Sequence, residues 1–280
     1  MTPRRAISLV GAHTYATSIS ERSSASTPAA IRAALGRYST WSFEDGVDLA
    51  EWVTVHDHGD VIDPDTDQGA AALAARLDDS GPDLWILLGG DNALTWRAMG
   101  SLAKGRPDEW GLITLDAHLD LREGRSNGSP VRQLLDEGLD GHHVVQIGLA
   151  DFANSPHYAR VARDAGVRTI SRGEVRRRGI AEVCEEALDL AGARRRPIYL
   201  DVDMDVCDRS VAPGCPAAVP GGLSADELRA VVRALSTDPR VRAMDITEID
   251  VERDAPDERT VRLAALVVLE AMGGVARRRT

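Results

Sequence analysis

Short apolar runs rich in β-branched residues recur eight times along the chain, at 6–10, 52–56, 84–88, 112–115, 144–148, 168–170, 198–201 and 243–246. Longer segments of helical period lie between them, at 28–35, 68–78, 92–103, 130–137, 174–191, 225–236 and 260–272. This alternation builds a parallel sheet whose crossover helices cover both faces. The predicted fold is α/β, a three-layer α/β/α sandwich around a mostly parallel eight-stranded sheet. A closed eight-stranded barrel is the competing architecture. No internal repeat, linker or composition break divides the chain, so 1–280 is read as one domain.

A formal net charge of −11 excludes the basic face that a nucleic-acid backbone or an anionic membrane requires, and points to a small, perhaps cationic ligand. Met1-Thr2-Pro3-Arg4-Arg5 precedes only a five-residue apolar run, too short for a signal peptide, and no stretch approaches a membrane span. The default location is the cytoplasm. Cys184, Cys207 and Cys215 lack the even count and short spacing of a disulfide framework or zinc knuckle and read as free thiols.

Chemistry concentrates where predicted strands end. Asp116-Ala117-His118-Leu119-Asp120 follows the run 112–115, so alternation brings three ligand-type side chains out on one face. Asp201-Val202-Asp203-Met204-Asp205 follows 198–200 in the same way, and its carboxylates would repel one another without a cation between them. Gly89-Gly90-Asp91-Asn92 joins a strand to a helix through glycines that permit a sharp turn, and Glu248 closes the run 243–246. A lone Asp-x-Asp after a strand is usually a cap or a turn. The conjunction of Asn92, Asp116, His118, Asp120, Asp201, Asp203 and Glu248 points instead to two metals. The loops 17–28 and 122–130 are candidates for the rest of the site.

At these residues the chain resembles the ureohydrolase family, which includes arginase, agmatinase, guanidinobutyrase and formiminoglutamase. Gly89-Gly90-Asp91, Asp116-Ala117-His118-Leu119-Asp120, Asp201-Val202-Asp203 and Pro220-Gly221-Gly222-Leu223-Ser224 carry the resemblance; Pro28-Ala29-Ala30-Ile31-Arg32 and His58-Gly59-Asp60-Val61 extend it. It implies two Mn²⁺ ions, with Asp116 and Asp201 bridging both, His118 and Asp203 completing one site, and Asp120 completing the other. It further implies a water activated between the ions, Asp120 as general base and then acid, and Glu248 holding a cationic guanidinium.

Most of the family carries His where this chain has Asn92, so an all-oxygen shell from Asn92, Asp116, Asp120 and Asp201 is expected for the first metal. Asn127 stands where several arginases place a His, and is expected at the substrate with Asp151, while Ala153 replaces an acid that arginases use for the α-amino group. These departures resemble the branch that hydrolyses Nω-hydroxy-L-arginine to L-ornithine and hydroxyurea in D-cycloserine biosynthesis. Val211-Ala212-Pro213-Gly214-Cys215-Pro216-Ala217-Ala218 resembles formiminoglutamases, the alternative enzyme. A scaffold that keeps the metals without turnover is the non-enzymatic alternative, and a two-metal phosphoesterase would need more basic clamps than Arg122 and Arg125. Cys207 and Cys215 read as packing or pocket wall, His56, His58, His142 and His143 as structural, and His13 as a residue that could line the site. Some arginases assemble through a C-terminal tail; this chain ends at Arg277-Arg278-Arg279-Thr280, so a monomer is expected, with the family trimer as the alternative.

Overall fold

A computed structural model describes residues 4–20, 26–77 and 81–278. The elements run β1 (Arg5–Ala12), α1 (Thr27–Leu35), β2 (Trp41–Ser42), β3 (Val47–Asp48), α2 (Leu49–Trp52), β4 (Val53–Val61), α3 (Asp67–Leu77), β5 (Leu84–Leu88) and α4 (Ala93–Ala103). They continue β6 (Gly111–Leu115), α5 (Pro130–Asp136), β7 (Val144–Leu149), α6 (Pro156–Asp164), β8 (Arg168–Ser171), α7 (Arg172–Arg178), α8 (Ile180–Ala191), β9 (Ile198–Asp203), α9 (Ala225–Ser236), β10 (Val241–Thr247) and α10 (Arg259–Ala276). Eight strands form one sheet in the order β4-β1-β5-β10-β9-β6-β7-β8, and every adjacent pair is parallel. The sheet is open, with β4 and β8 at its edges, so the sandwich is adopted and the barrel is not. Strands β2 and β3 make a separate two-residue antiparallel ribbon.

Alternating side chains divide the core in two. Ile7, Leu9, Ile86, Ile113, Val145 and Leu200 pack on one face, beneath α1, α8, α9 and α10. Val10, Leu87, Leu112, Val144, Tyr199 and Ala243 pack on the other, with α3, α4 and α5. Each fully buried Leu or Ile contributes roughly 1.5–3 kcal/mol, enough for two such layers to fix the register.

The structure differs from the sequence reading in several elements. The predicted helix 174–191 is two, because Gly179 adopts φ +85 between α7 and α8. Helix α6 is absent from the sequence reading: its apolar stripe is only Tyr158, Val161 and Ala162, and of these Ala162 alone is fully buried. Strand β4 runs to Val61 through charged His56–Asp60 positions that an edge strand can expose. Asp78, at the end of the predicted helix 68–78, lies outside the described residues, as do 21–25 in the loop 17–28. All three cysteines are free and buried. Among the described residues no helix is long and apolar enough to cross a membrane.

At Gly111, where β6 begins, an added Cβ would stand 2.1 Å from the Ala191 carbonyl oxygen at the end of α8. Gly111→Ala is therefore expected to cost about 1–3 kcal/mol of stability, measured by chemical denaturation; an unchanged midpoint would contradict the packing of α8 on the sheet.

Candidate metal centre

The chemistry-bearing residues come from the C-terminal ends of adjacent strands: Asn92 after β5, Glu248 after β10, Asp203 and Asp205 at and after β9, and Asp116, His118 and Asp120 after β6. Ligand sites in open parallel sheets lie at these ends. Two of the residues have left-handed backbones, Asp120 at φ +52 and Glu248 at φ +63. Such conformations cost non-glycine residues about 1–2 kcal/mol, so the surrounding contacts must hold them.

Asp116, His118 and Asp205 offer ligand atoms that all lie within 4.8 Å of one another. His118 Nδ1 is 2.6 Å from Asp205 Oδ2, and Asp205 Oδ1 accepts from the Ala117 amide at 2.9 Å. Asp203 Oδ1 accepts from the Asp205 amide at 2.8 Å, capping the 3₁₀ turn Met204–Val206 that swings Asp205 back to the site. Asp116 is fully buried and its Oδ2 has no hydrogen-bond partner. Carboxylates ~4 Å apart repel by roughly 4 kcal/mol at an effective dielectric of about 20, so this density of acids calls for bound protons or cations.

The titration directions agree. Burial pushes Asp116 well above the usual carboxylate range, reinforced by the charges of Asp120 and Asp205. Burial and the charge of Asp205 push Asp120 up to about 7. Burial raises Asp203 too, with Asp205 and Asp116 adding repulsion. Burial alone would lower His118, but the hydrogen bond and charge of Asp205 outweigh it and raise the imidazole to about 9. Asp205 is the acid whose range falls: burial works against ionisation and His118 overcomes it. An oxygen-rich cluster with one imidazole suits a hard divalent cation of the manganese type.

Asp201 pairs in register with Asp245 of β10 and is fully buried; neither of its carboxylate oxygens has a hydrogen-bond partner, and its charge acts on Asp116 and Asp203, so it belongs to the same acid cluster. Strand β9 extends to Asp203, so the turn that carries the next acid starts two residues later than the apolar run suggests. Asp205, which the sequence reading leaves out of the ligand set, therefore takes the place beside His118. The signal was available, since a run of only three residues before Asp201 is short for a strand of typical length. The Asn92 side-chain amide lies between two hydroxyls and the acids: Thr95 Oγ1 at 2.9 Å and Thr247 Oγ1 at 3.0 Å stand at one end, and Asp120 Oδ2 at 2.6 Å at the other.

Glu248 Oε1 accepts from the Asn92 amide and from Asn127 Nδ2, each at 2.8 Å. Burial raises its carboxyl range, and these two donors oppose the rise. Asn127 lines the cleft as expected; Asp151 does not, because the chain turns outward at Asp151-Phe152 and leaves both exposed. His13 bonds Asp60 at 3.0 Å away from the cleft. The cleft measures about 330 Å³, and its outer wall includes Ser20, Arg122, Asn127, Asn154, Ser155 and Tyr158.

The arginase family's sequence profile matches residues 5–274. The chain belongs to the arginase family. It is 37% identical over 279 residues to the formimidoylglutamase of Halalkalibacterium halodurans, a match spanning 95% of this chain and 86% of that protein. The crystal structure of the Bacillus subtilis formimidoylglutamase superposes with a TM-score of 0.89 at 30% identity, covering 100% of this chain and 90% of that one. Trypanosoma cruzi formiminoglutamase, solved with Mn²⁺, gives 0.86 at 26% identity, covering 98% and 94%. This arginase-family chain is a metal-dependent hydrolase of amidino or guanidino groups.

Cation binding must displace the protons that the raised Asp116, Asp120 and His118 retain, and those protons leave as pH rises. Mn²⁺ affinity measured calorimetrically is expected to increase at least about tenfold from pH 6 to pH 8, with proton release. Equal affinity at both would contradict the proton-loaded cluster.

Proposed function

We propose that the protein hydrolyses N-formimidoyl-L-glutamate to L-glutamate and formamide with two Mn²⁺ ions. The observation that carries this reading is the charge distribution of the cleft. Its acids, Asp120, Asp203, Asp205 and Glu248, all belong to the base, whereas the outer wall offers the Arg122 guanidinium and no carboxylate among the described residues. A substrate tail with two carboxylates matches that wall. An amino-acid tail bearing an ammonium finds no acid there, with Ala153 lining the wall and Asp151 outside it. The relatives named above are formimidoylglutamases, and the expected hydroxyarginine substrate gains no specific support from them.

In this reading Asp116, His118, Asp120, Asp201 and Asp203 hold the ions, with Asp205 bonded to His118, and the unpartnered oxygens of Asp116 and Asp201 are the atoms that most need them. Bound in pairs, such ions supply Lewis acidity and make a water acidic near neutrality. Glu248 receives the cationic amidinium in a charge-assisted hydrogen bond and sets the carbon in the path of the water. Asp120, at the base of the cleft, is placed to accept the water's proton and deliver it to the glutamate nitrogen as the C–N bond breaks. The Asn92 NH₂ group steadies one oxygen of Asp120 through that transfer. Arg122 anchors the carboxylate tail and leaves the reacting carbon to the base of the cleft.

Steady-state assays of the Mn²⁺-loaded enzyme on formimidoylglutamate, Nω-hydroxy-L-arginine and L-arginine test the reading. Glutamate release at a kcat/KM far above ornithine release from either guanidine is expected; ornithine as the dominant product would overturn it. Arg122→Gln should raise KM for formimidoylglutamate about 10- to 100-fold with a smaller change in kcat, the loss of a hydrogen bond to a charged group.

A further inference from the structure

The loop that supplies both Arg122 and Asn127 is closed at its base but poorly packed at its back. Arg122 N–H donates to the Gly128 carbonyl at 3.0 Å, and Ser126 and Ser129 bond each other across the following turn. Behind the tip a cleft of about 410 Å³ separates residues 123–125 from α5, so no apolar layer supports the tip. A cation–π contact crosses from the tip to the body of the fold. The Arg125 guanidinium sits 5.0 Å from the ring centre of Trp96, whose own position on α4 is fixed by an indole N–H donated to Glu137 Oε1 at 2.8 Å. Arg97 lies over the same ring at 4.2 Å, and Trp96 is buried.

Trp96 thus joins the start of α4, four residues after Asn92, to the end of α5 and to the loop between. The same loop presents Asn127 Nδ2 to Glu248 Oε1, while Asn127 Oδ1 accepts from the Ile19 amide at 2.9 Å. We propose that Trp96 and Arg125 are positioning residues: their cation–π contact holds the loop in the conformation that keeps Asn127 on Glu248. This rests on Glu248 receiving the substrate's amidinium, and is independent of which amidine is the substrate. A guanidinium over an indole suits the task, since the attraction of the cation for the ring face holds the tip without an apolar layer beneath it.

The test uses the full-length Mn²⁺ enzyme and Arg125→Gln, Arg125→Lys and Trp96→Leu, read by kcat/KM and by amide hydrogen exchange over 122–129. Arg125→Gln should lower kcat/KM about 3- to 10-fold, by reducing the population of the competent loop, and speed exchange in that segment. Arg125→Lys, which retains the cation, should recover most of both. Bound Mn²⁺ and the thermal midpoint of the Arg125 variants should match the parent, and Trp96→Leu should reproduce the exchange effect of Arg125→Gln. Parental exchange and kcat/KM in Arg125→Gln, or Lys and Gln variants that behave alike, would overturn the proposal. Should the parent enzyme prefer another amidine, the substrate reading fails while the variants are compared on that amidine; on an enzyme silent to all three substrates, the exchange comparison alone decides.

Discussion

Like-charge crowding governs this molecule. Asp116, Asp120, Asp201, Asp203, Asp205, Asp245 and Glu248 are all buried at or beneath one lip of the sheet, and His118 is the basic side chain bonded among them. Burying even one uncompensated carboxylate is expensive, and burying several without cations forces some to stay protonated. The parallel sheet provides the only simple way to assemble them, because adjacent strands β5, β10, β9 and β6 all point their C-terminal ends the same way. The strained Asp120 and Glu248 backbones, the two-layer core and the capped turn at Met204–Val206 serve to hold that assembly in place.

Beneath the cleft lies a second polar layer. Asp245 accepts from Tyr199 Oη at 2.7 Å, and Thr95 Oγ1 stands 2.9 Å from both Asp245 Oδ2 and the Asn92 side-chain amide, with one proton to serve them. Burial raises Asp245 to about 6, with Tyr199 and Thr95 opposing the rise. The layer links the helix α4 to the floor of the cluster, so Asn92 is part of a connected polar network.

Much of this was readable from residues alone. The eight apolar runs located every strand of the main sheet, because strands buried on both faces are continuous apolar segments. The Asp-Ala-His-Leu-Asp cluster and Glu248 were readable because carboxylates at strand ends have few structural uses in such numbers. Three features were not. That Asp205 folds back onto His118 depends on where β9 stops, which a period of two does not mark. The orientation of the Asn92 amide depends on Thr95 and Thr247, the latter distant in sequence. Helix α6 is short and mostly exposed, so its stripe of Tyr158, Val161 and Ala162 is brief, and its Ser155 cap and Pro156 mark its start more clearly than its packing does.

The central claim is that the buried acids exist to hold a pair of cations. Anomalous diffraction at the manganese edge from crystals soaked in Mn²⁺ measures this directly. Two peaks are expected among Asp116, His118, Asp120, Asp201 and Asp203. No peak, or a single peak, would contradict it.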